Sequence, residues 1–408
     1  MSISKKYHIC FLVAANRTGV AGHHFSVRDI SHSLNAVVGN VDIIEIRAKG
    51  EEISRPLSKV NNFKSFQLNS LAPRQWINLY KHFDTESYDA IFCFDEFSSR
   101  IGIVFNLFCL NKVVPVKPGW VNSKSWTSAC AHFINFSKEN FNYYKEQSKY
   151  SKVNLHHIPN RVQSVEPALD IIRDLKESLN ILPDQKIIIA ASRISKGDGR
   201  DNGKRCVFES ALELYRLNKL DFKGWRIVMI GTPVNNEAAK WISKLCGDFD
   251  NVSIVTSNKY TENLSSILPM ADVVFAMGRT AMEAMSAGTA VIIPTEDLKN
   301  STLVDGVSFE RLQDANFTHR FKINNDQKAF YEINGVSKIF SDMKYLDHVK
   351  RATKELFMNR LSLKIAVLSY MNVIEDISTM PRRSNFKKFI YSFVRVWLLL
   401  FVKTLRTS

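Results

Sequence analysis

The turn Met277-Gly278-Arg279-Thr280 separates an apolar run, Val273–Phe275, from a helix-forming segment that carries Glu283. A helix starting there leaves its first N–H groups without intrahelical acceptors and points the positive end of its dipole outward. An anion suits that position, a diphosphate especially. Glu283 falls about one turn further in, where a carboxylate can accept hydrogen bonds from two ribose hydroxyls. A phosphate site beside a diol acceptor makes a nucleotide pocket. The plain alternative is a small-residue helix packed closely on a sheet, which also ends in glycines.

Other residues suit the same chemistry. Arg193 follows the apolar run Lys186–Ala191, and a basic loop with Lys196, Arg200, Lys204 and Arg205 comes after it. Such cations neutralise a diphosphate, unless they are only a solvated loop on a basic protein. Gly231 closes the run Trp225–Ile230 and joins this group. Near the N-terminus, the loop Asn16–Phe25 contains Gly19 and Gly22, and glycines let backbone approach a ligand closely. His23 and His24 in that loop can position an acceptor or carry a proton, or serve as ordinary polar contacts. Asp95, with Glu96, ends the run Ala90–Phe94. It can act as a general base, or it can cap the next helix. No metal-binding cluster such as Asp-x-Asp stands out, so neither a metal nor another cofactor is expected.

These residues sit between elements that alternate along the chain. Apolar runs at Ile9–Ala14, Val41–Ile46, Ala90–Phe94, Lys112–Val116 and Phe133–Phe136 read as buried strands. Linkers long enough for crossover helices separate them, which implies a parallel sheet covered on both faces. The pattern restarts after Leu155–Val162 with runs at Lys186–Ala191, Trp225–Ile230, Val252–Val255, Val273–Phe275 and Ala290–Ile293. At 408 residues the chain has room for two cores. The expected fold is α/β: two Rossmann-like doubly wound domains facing a cleft, with ligands off the carboxyl ends of the strands. The expected boundaries are 1–160, 161–345, a helical segment 346–380 returning to the first domain, and a basic amphipathic tail 381–408.

Composition narrows the class. The apolar share of 45% and charged share of 23% are those of a globular protein. Six scattered cysteines suggest reduced thiols and a cytoplasmic site, and no signal peptide is read at the N-terminus. The net charge of +15 raises the question of nucleic acid, but no helix-turn-helix, zinc-finger or RNP-like pattern supports it. The charge is better explained by the tail: after Asp376 come Arg382, Arg383, Lys387, Lys388, Arg395, Lys403 and Arg406, with no acid among them. On a helical wheel Lys388, Ser392, Arg395, Lys403 and Arg406 share one face, interrupted by Leu399. Phe389, Ile390, Phe393, Trp397, Leu400 and Phe401 occupy the other. The run Phe389–Val402 is short for a spanning helix. It reads as an interfacial helix on an anionic membrane, or as a helix packed on protein.

The segment Glu283-Ala284-Met285-Ser286-Ala287-Gly288 resembles the Glu-Ala-Met-Ala-x-Gly run at the donor site of glycosyltransferase family 4, whose members have the two-Rossmann GT-B fold. Many members carry another glutamate eight positions earlier, where this chain has Phe275. The resemblance, covering roughly Tyr7 to Ile377, implies a nucleotide-sugar donor and retention of anomeric configuration. It places Arg193 and one lysine on the diphosphate. Lys204 matches by the helix that follows and Lys196 by short spacing. Gly278, Arg279, Thr280 and Glu283 complete the implied donor site. The glycine-rich loop at Gly19 and Gly22 is implied to close over donor phosphate and acceptor. At Lys117-Pro118-Gly119, many members have a histidine that is missing here. The implied task is adding a sugar to a lipid-linked glycan in bacterial surface polysaccharide or lipopolysaccharide assembly. A non-hydrolysing nucleotide-sugar epimerase and an inactive membrane-associated scaffold share the fold and are the alternatives.

Overall fold

The computed structural model describes residues 6–15, 22–106, 109–119, 128–196, 202–217, 224–247, 249–294, 301–320, 336–381 and 386–405, with side chains at 84–86, 202, 203, 215, 217, 386–388 and 402–405 excepted. The chain forms two units. One comprises Met1–Arg161 with Leu363–Ser408, the other Val162–Ser362.

In chain order the first unit runs β1 (Tyr7–Ala14), α1 (Gly22–Val38), β2 (Gly39–Arg47), β3 (Phe63–Gln67), α2 (Pro73–Glu86), β4 (Ala90–Cys93), α3 (Glu96–Phe105), β5 (Val113–Lys117), β6 (His132–Asn135), α4 (Lys138–Lys145) and β7 (Asn154–His157). The second holds α5 (Leu169–Ser178), β8 (Lys186–Ala191), α6 (Asn202–Leu217), β9 (Trp225–Ile230), α7 (Asn236–Cys246), β10 (Val252–Val255), β11 (Val273–Phe275), α8 (Arg279–Ala287), β12 (Ala290–Ile293), β13 (Thr302–Leu303) and α9 (Met343–Leu356). Two final helices, α10 (Leu363–Thr379) and α11 (Phe386–Leu405), belong to the first unit.

The first sheet has the order β3-β2-β1-β4-β5-β6-β7 and is parallel throughout. The second has the order β10-β9-β8-β11-β12-β13, parallel except for the β12–β13 pair. In each, the strand order reverses beside the unit's first strand, the doubly wound pattern. Strand residues alternate between two cores. In the first unit, Ile9, Phe11 and Val13 face a cluster that includes α10, and Cys10 and Leu12 face one that includes α2 and α11. Burying apolar side chains on both faces is what makes these strands read as unbroken apolar runs.

Where the sequence pattern reads one helical stretch over 346–380, the structure breaks it. A turn of π-helix, Phe357–Leu361, ends α9, and Ser362 is extended (φ −65°, ψ 146°). Phe357 and Leu361 stay in the core of the second unit. Tyr370 of α10 packs edge-on against Phe92 of β4 at 5.2 Å.

The tail is a helix, but its faces differ from the wheel assignment. Ser392, expected on the polar face, is buried with Val396 and Leu400. This i, i+4, i+8 stripe docks α11 onto the first unit, where Val396 and Leu400 join the core beside Ile101 of α3. Small Ser392 permits close approach there, and Arg100 of α3 lies under the Tyr391 ring at 5.3 Å. Among the described residues no helix is long and apolar enough to cross a membrane.

Candidate functional site

In the second unit β8 and β11 lie side by side at the switch point, with Phe275 opposite Ala190. Their carboxyl ends carry Arg193 and Gly278. The first loop is clipped at both sides of Arg193: Ser192 N–H donates to Ile230 O (3.2 Å), and Ile194 N–H to Thr232 O (3.0 Å). Val234 N–H returns to Ile194 O at 3.0 Å, and Ile194 is fully buried. Arg193 projects from this clip into solvent, with no hydrogen bond or ion pair among the described residues. Lys196 is also exposed, whereas Lys204 is half-buried in the first turn of α6. Arg200 lies outside the described residues. Gly231 makes the clip possible: a Cβ there would stand 1.9 Å from Ser192 O.

Gly278 takes φ +56° and ψ −126°, a backbone conformation essentially reserved for glycine. It caps α8 without any side-chain hydrogen bond, so the helix start keeps its electropositive character. Its own N–H is committed to Phe317 O at 2.7 Å. Asn316 and Phe317 both have positive φ (54° and 52°), which turns the segment tightly against the α8 start. Arg279 opens the helix, where a cation opposes the dipole. Its Nε donates to Glu283 Oε1 at 2.8 Å, with both side chains only 12% exposed. Glu283 is the sole acid in α8, and Thr280 is half-buried beside it. A cation held against the positive helix end is electrostatically sensible where an anionic ligand belongs.

The rest of the motif is packing. Ala284 and Met285 are fully buried, and Ser286 Oγ accepts the Val165 N–H at 2.9 Å. Gly288 ends α8 at φ +76°. Phe275 is wholly buried in the core beside Phe208, so eight positions before Glu283 the strand is still inside the sheet.

In the first unit Asp95 takes the capping alternative. Its Oδ1 accepts Ser98 N–H (2.7 Å) and its Oδ2 accepts Ala14 N–H (2.7 Å), tying β4 to β1 at their carboxyl ends. Loss of surrounding water raises its carboxyl above the ordinary range, against the lowering effect of those hydrogen bonds.

His24 is likewise engaged at both nitrogens. Ala14 O can only accept, so Nε2 carries the proton and donates (3.1 Å). Nδ1 then accepts from Ser54 Oγ (3.0 Å). His23 lies edge-on to it at 4.5 Å, and its buried Nε2 has no hydrogen-bond partner among the described residues. Burial lowers both imidazoles to about 4, so both are neutral at physiological pH. Gly22 opens α1, and a Cβ added there would meet nothing within 4 Å among the described residues. Gly19 lies outside the described residues.

Sequence reasoning missed the support under His24. Glu45, fully buried on β2, accepts Ser54 N–H and Ser65 Oγ–H, both at 3.0 Å. An acid inside the apolar run Val41–Ile46 was the available signal. Among the described residues no cluster able to hold a metal ion is found.

A stability prediction arises here. An imidazole held at about 4 against an unfolded value near 6.5 binds fewer protons folded than unfolded between those values. The stability it represents is full above about pH 6.5 and is lost as pH falls through about 4. The raised carboxyl of Asp95 acts in the opposite sense. His24→Ala, leaving Ala14 O and Ser54 Oγ unmatched, should cost about 2 kcal/mol at neutral pH. It should also flatten the loss between pH 6.5 and 4. Urea titrations across that window check both, and an unchanged slope would refute the assignment.

No family model and no curated protein sequence matches the chain. Solved structures do. A glycosyltransferase from Rickettsia africae aligns over 92% of this chain and 100% of its own at a TM-score of 0.61 and 14% identity. Anabaena HepE in complex with UDP-glucose aligns over 92% and 100% at 0.60 and 11%. A protein assigned as a UDP-N-acetylglucosamine 2-epimerase, from Listeria monocytogenes, aligns over 93% and 99% at 0.53 and 10%. The likeness shows the fold: two Rossmann-like α/β units of the GT-B type.

Proposed function

We propose that this chain is a glycosyltransferase that moves a sugar from a nucleotide-diphosphate sugar to a lipid-linked glycan. The observation that carries the proposal is the pairing, at one switch point, of an uncapped helix start at Gly278 with the clipped, solvent-facing Arg193. Both sit on neighbouring strands β8 and β11. Diphosphate leaving-group charge is offset by such fixed donors without reorganisation. The HepE complex with UDP-glucose supports the donor class by analogy of fold.

Arg193 and one of Lys196 or Lys204 would hold the diphosphate, with Arg279 and Thr280 at the helix start. Glu283, positioned by Arg279, would accept the ribose hydroxyls. Retention, with the departing diphosphate accepting the acceptor proton on the same face, fits the engagement of Asp95 as a cap. His24 has both ring nitrogens engaged, so His23, whose Nε2 has no partner among the described residues, is the better candidate to meet an acceptor hydroxyl. The reading extends to surface polysaccharide or lipopolysaccharide assembly on the inner face of a bacterial membrane, with the tail on anionic lipid.

The epimerase likeness favours a second reading, since such an enzyme shares the fold and a nucleotide pocket. The two separate cleanly. Calorimetry with a panel of nucleotide sugars identifies the donor, and product analysis with and without glycan acceptors follows. Transfer only with acceptor present supports the proposal. Conversion of the nucleotide sugar alone supports the epimerase. Absence of binding by every donor, with membranes supplied, would favour an inactive scaffold.

A further inference from the structure

The docking of α11 leaves a surface that the sequence pattern does not show. With Ser392, Val396 and Leu400 turned inward, the outward side of the helix carries Ile390, Tyr391, Val394, Leu398 and Leu399, with Leu398 49% and Leu399 42% exposed. Phe393, at the near edge, lies 5.9 Å from Trp76 of α2. Helix α2 in turn exposes Ile77 (51%) and Tyr80 (52%), and Leu71 just before it. Exposed Arg74 and Lys81 flank these on α2, as Arg395 does on α11. Two helices on one side of the sheet thus present aliphatic and aromatic side chains interleaved with cations.

We infer that α2 and α11 together form a two-helix platform by which the first unit lies on an anionic bilayer; the inference rests on, and sharpens, the membrane reading above. Charge complementarity selects the occupant. The chain after Asp376 has seven cations and no acid, so anionic headgroups gain from it. A second copy docked by the same face would set like charges against like. An exposed apolar and aromatic surface bordered by cations is that of helices lying in the headgroup region. Because α11 is fixed to α3, the bilayer would meet a rigid surface, and α2 must share the contact.

The test uses the full chain and sedimentation with phosphatidylcholine vesicles, with and without phosphatidylglycerol. Two double variants are compared: Ile77→Ser with Tyr80→Ser on α2, and Leu398→Ser with Leu399→Ser on α11. Val307→Ser, exposed in the second unit, is the control. The expected result is binding that requires phosphatidylglycerol, lowered about tenfold or more by either pair and unchanged in the control. Thermal unfolding of all variants should match the parent, since the substituted side chains are solvent-facing. If only the α11 pair weakens binding, the platform is wrong and a single-helix anchor remains. Equal binding to neutral vesicles overturns the charge argument. A dimer that the α11 pair dissociates would assign the face to a second copy. If the parent binds neither vesicle, the membrane reading itself fails.

Discussion

Gly231→Ala is expected to destabilise the second unit by about 3 kcal/mol and to weaken nucleotide-sugar binding at least about 100-fold. The built Cβ stands 1.9 Å from Ser192 O and 3.1 Å from the Ile194 side chain. The first distance is to backbone, so no rotamer change relieves it. Either β9 or the loop after β8 must move, and both are fastened. Gly231 N–H bonds Val255 O at 3.1 Å, and Ser192 N–H bonds Ile230 O at 3.2 Å. A shift of the loop would carry Arg193, which lies between the two clipped residues Ser192 and Ile194. Two controls isolate the cause. Ser192→Gly keeps the carbonyl and should rescue nothing. Gly306→Ala, where an added Cβ meets nothing within 4 Å, should be near neutral. Urea unfolding and calorimetry on the same samples give the two effects. Retained donor affinity in a destabilised Gly231→Ala protein would show that the clip does not position Arg193.

How far the sequence reveals this arrangement differs by element. Strands buried on both faces announce themselves: Ile187–Ala191 and Ile227–Ile230 are apolar without interruption, and both are central. Phe63–Gln67 (FKSFQ) is an edge strand with no fully buried residue, so its pattern does not stand out from a polar loop. Thr302–Leu303 is a two-residue antiparallel closure, too short for any period. Glycine turns are legible because only glycine takes φ +56°, ψ −126° at Gly278. The reason for Gly231 is not legible, since it depends on a carbonyl 39 positions away, at Ser192. Side-chain engagement is similarly non-local. Nothing near His24 in the chain shows that Ser54 and Ala14 occupy its nitrogens, and nothing near Asp95 shows its bond to Ala14. The tail's basicity was plain, yet which face it buries was decided by α3.

Arg193→Ala should lower the transfer rate about 10²- to 10³-fold with modest change in fold stability. The side chain is exposed and makes no hydrogen bond or ion pair among the described residues, so its removal leaves no buried group unmatched. Its backbone stays clipped through Ser192 and Ile194. The loss should therefore appear in donor binding, where the diphosphate is already charged, and further in chemistry, where its charge grows. Arg193→Lys should recover only part of it, since an ammonium cannot reproduce a planar two-pronged contact. The same assay decides between the two lysines. Lys196 is exposed and close in sequence to the clip, whereas Lys204 is half-buried at the start of α6. If Lys204 holds the diphosphate, Lys204→Ala matches Arg193→Ala in rate, and Lys196→Ala is close to parent. The reverse result moves the contact to Lys196. Should Arg193→Ala turn over like the parent while both lysine variants do too, the cationic loop is a solvated surface. The uncapped start of α8 would then stand alone as an anion site, which is too little to support a transferase.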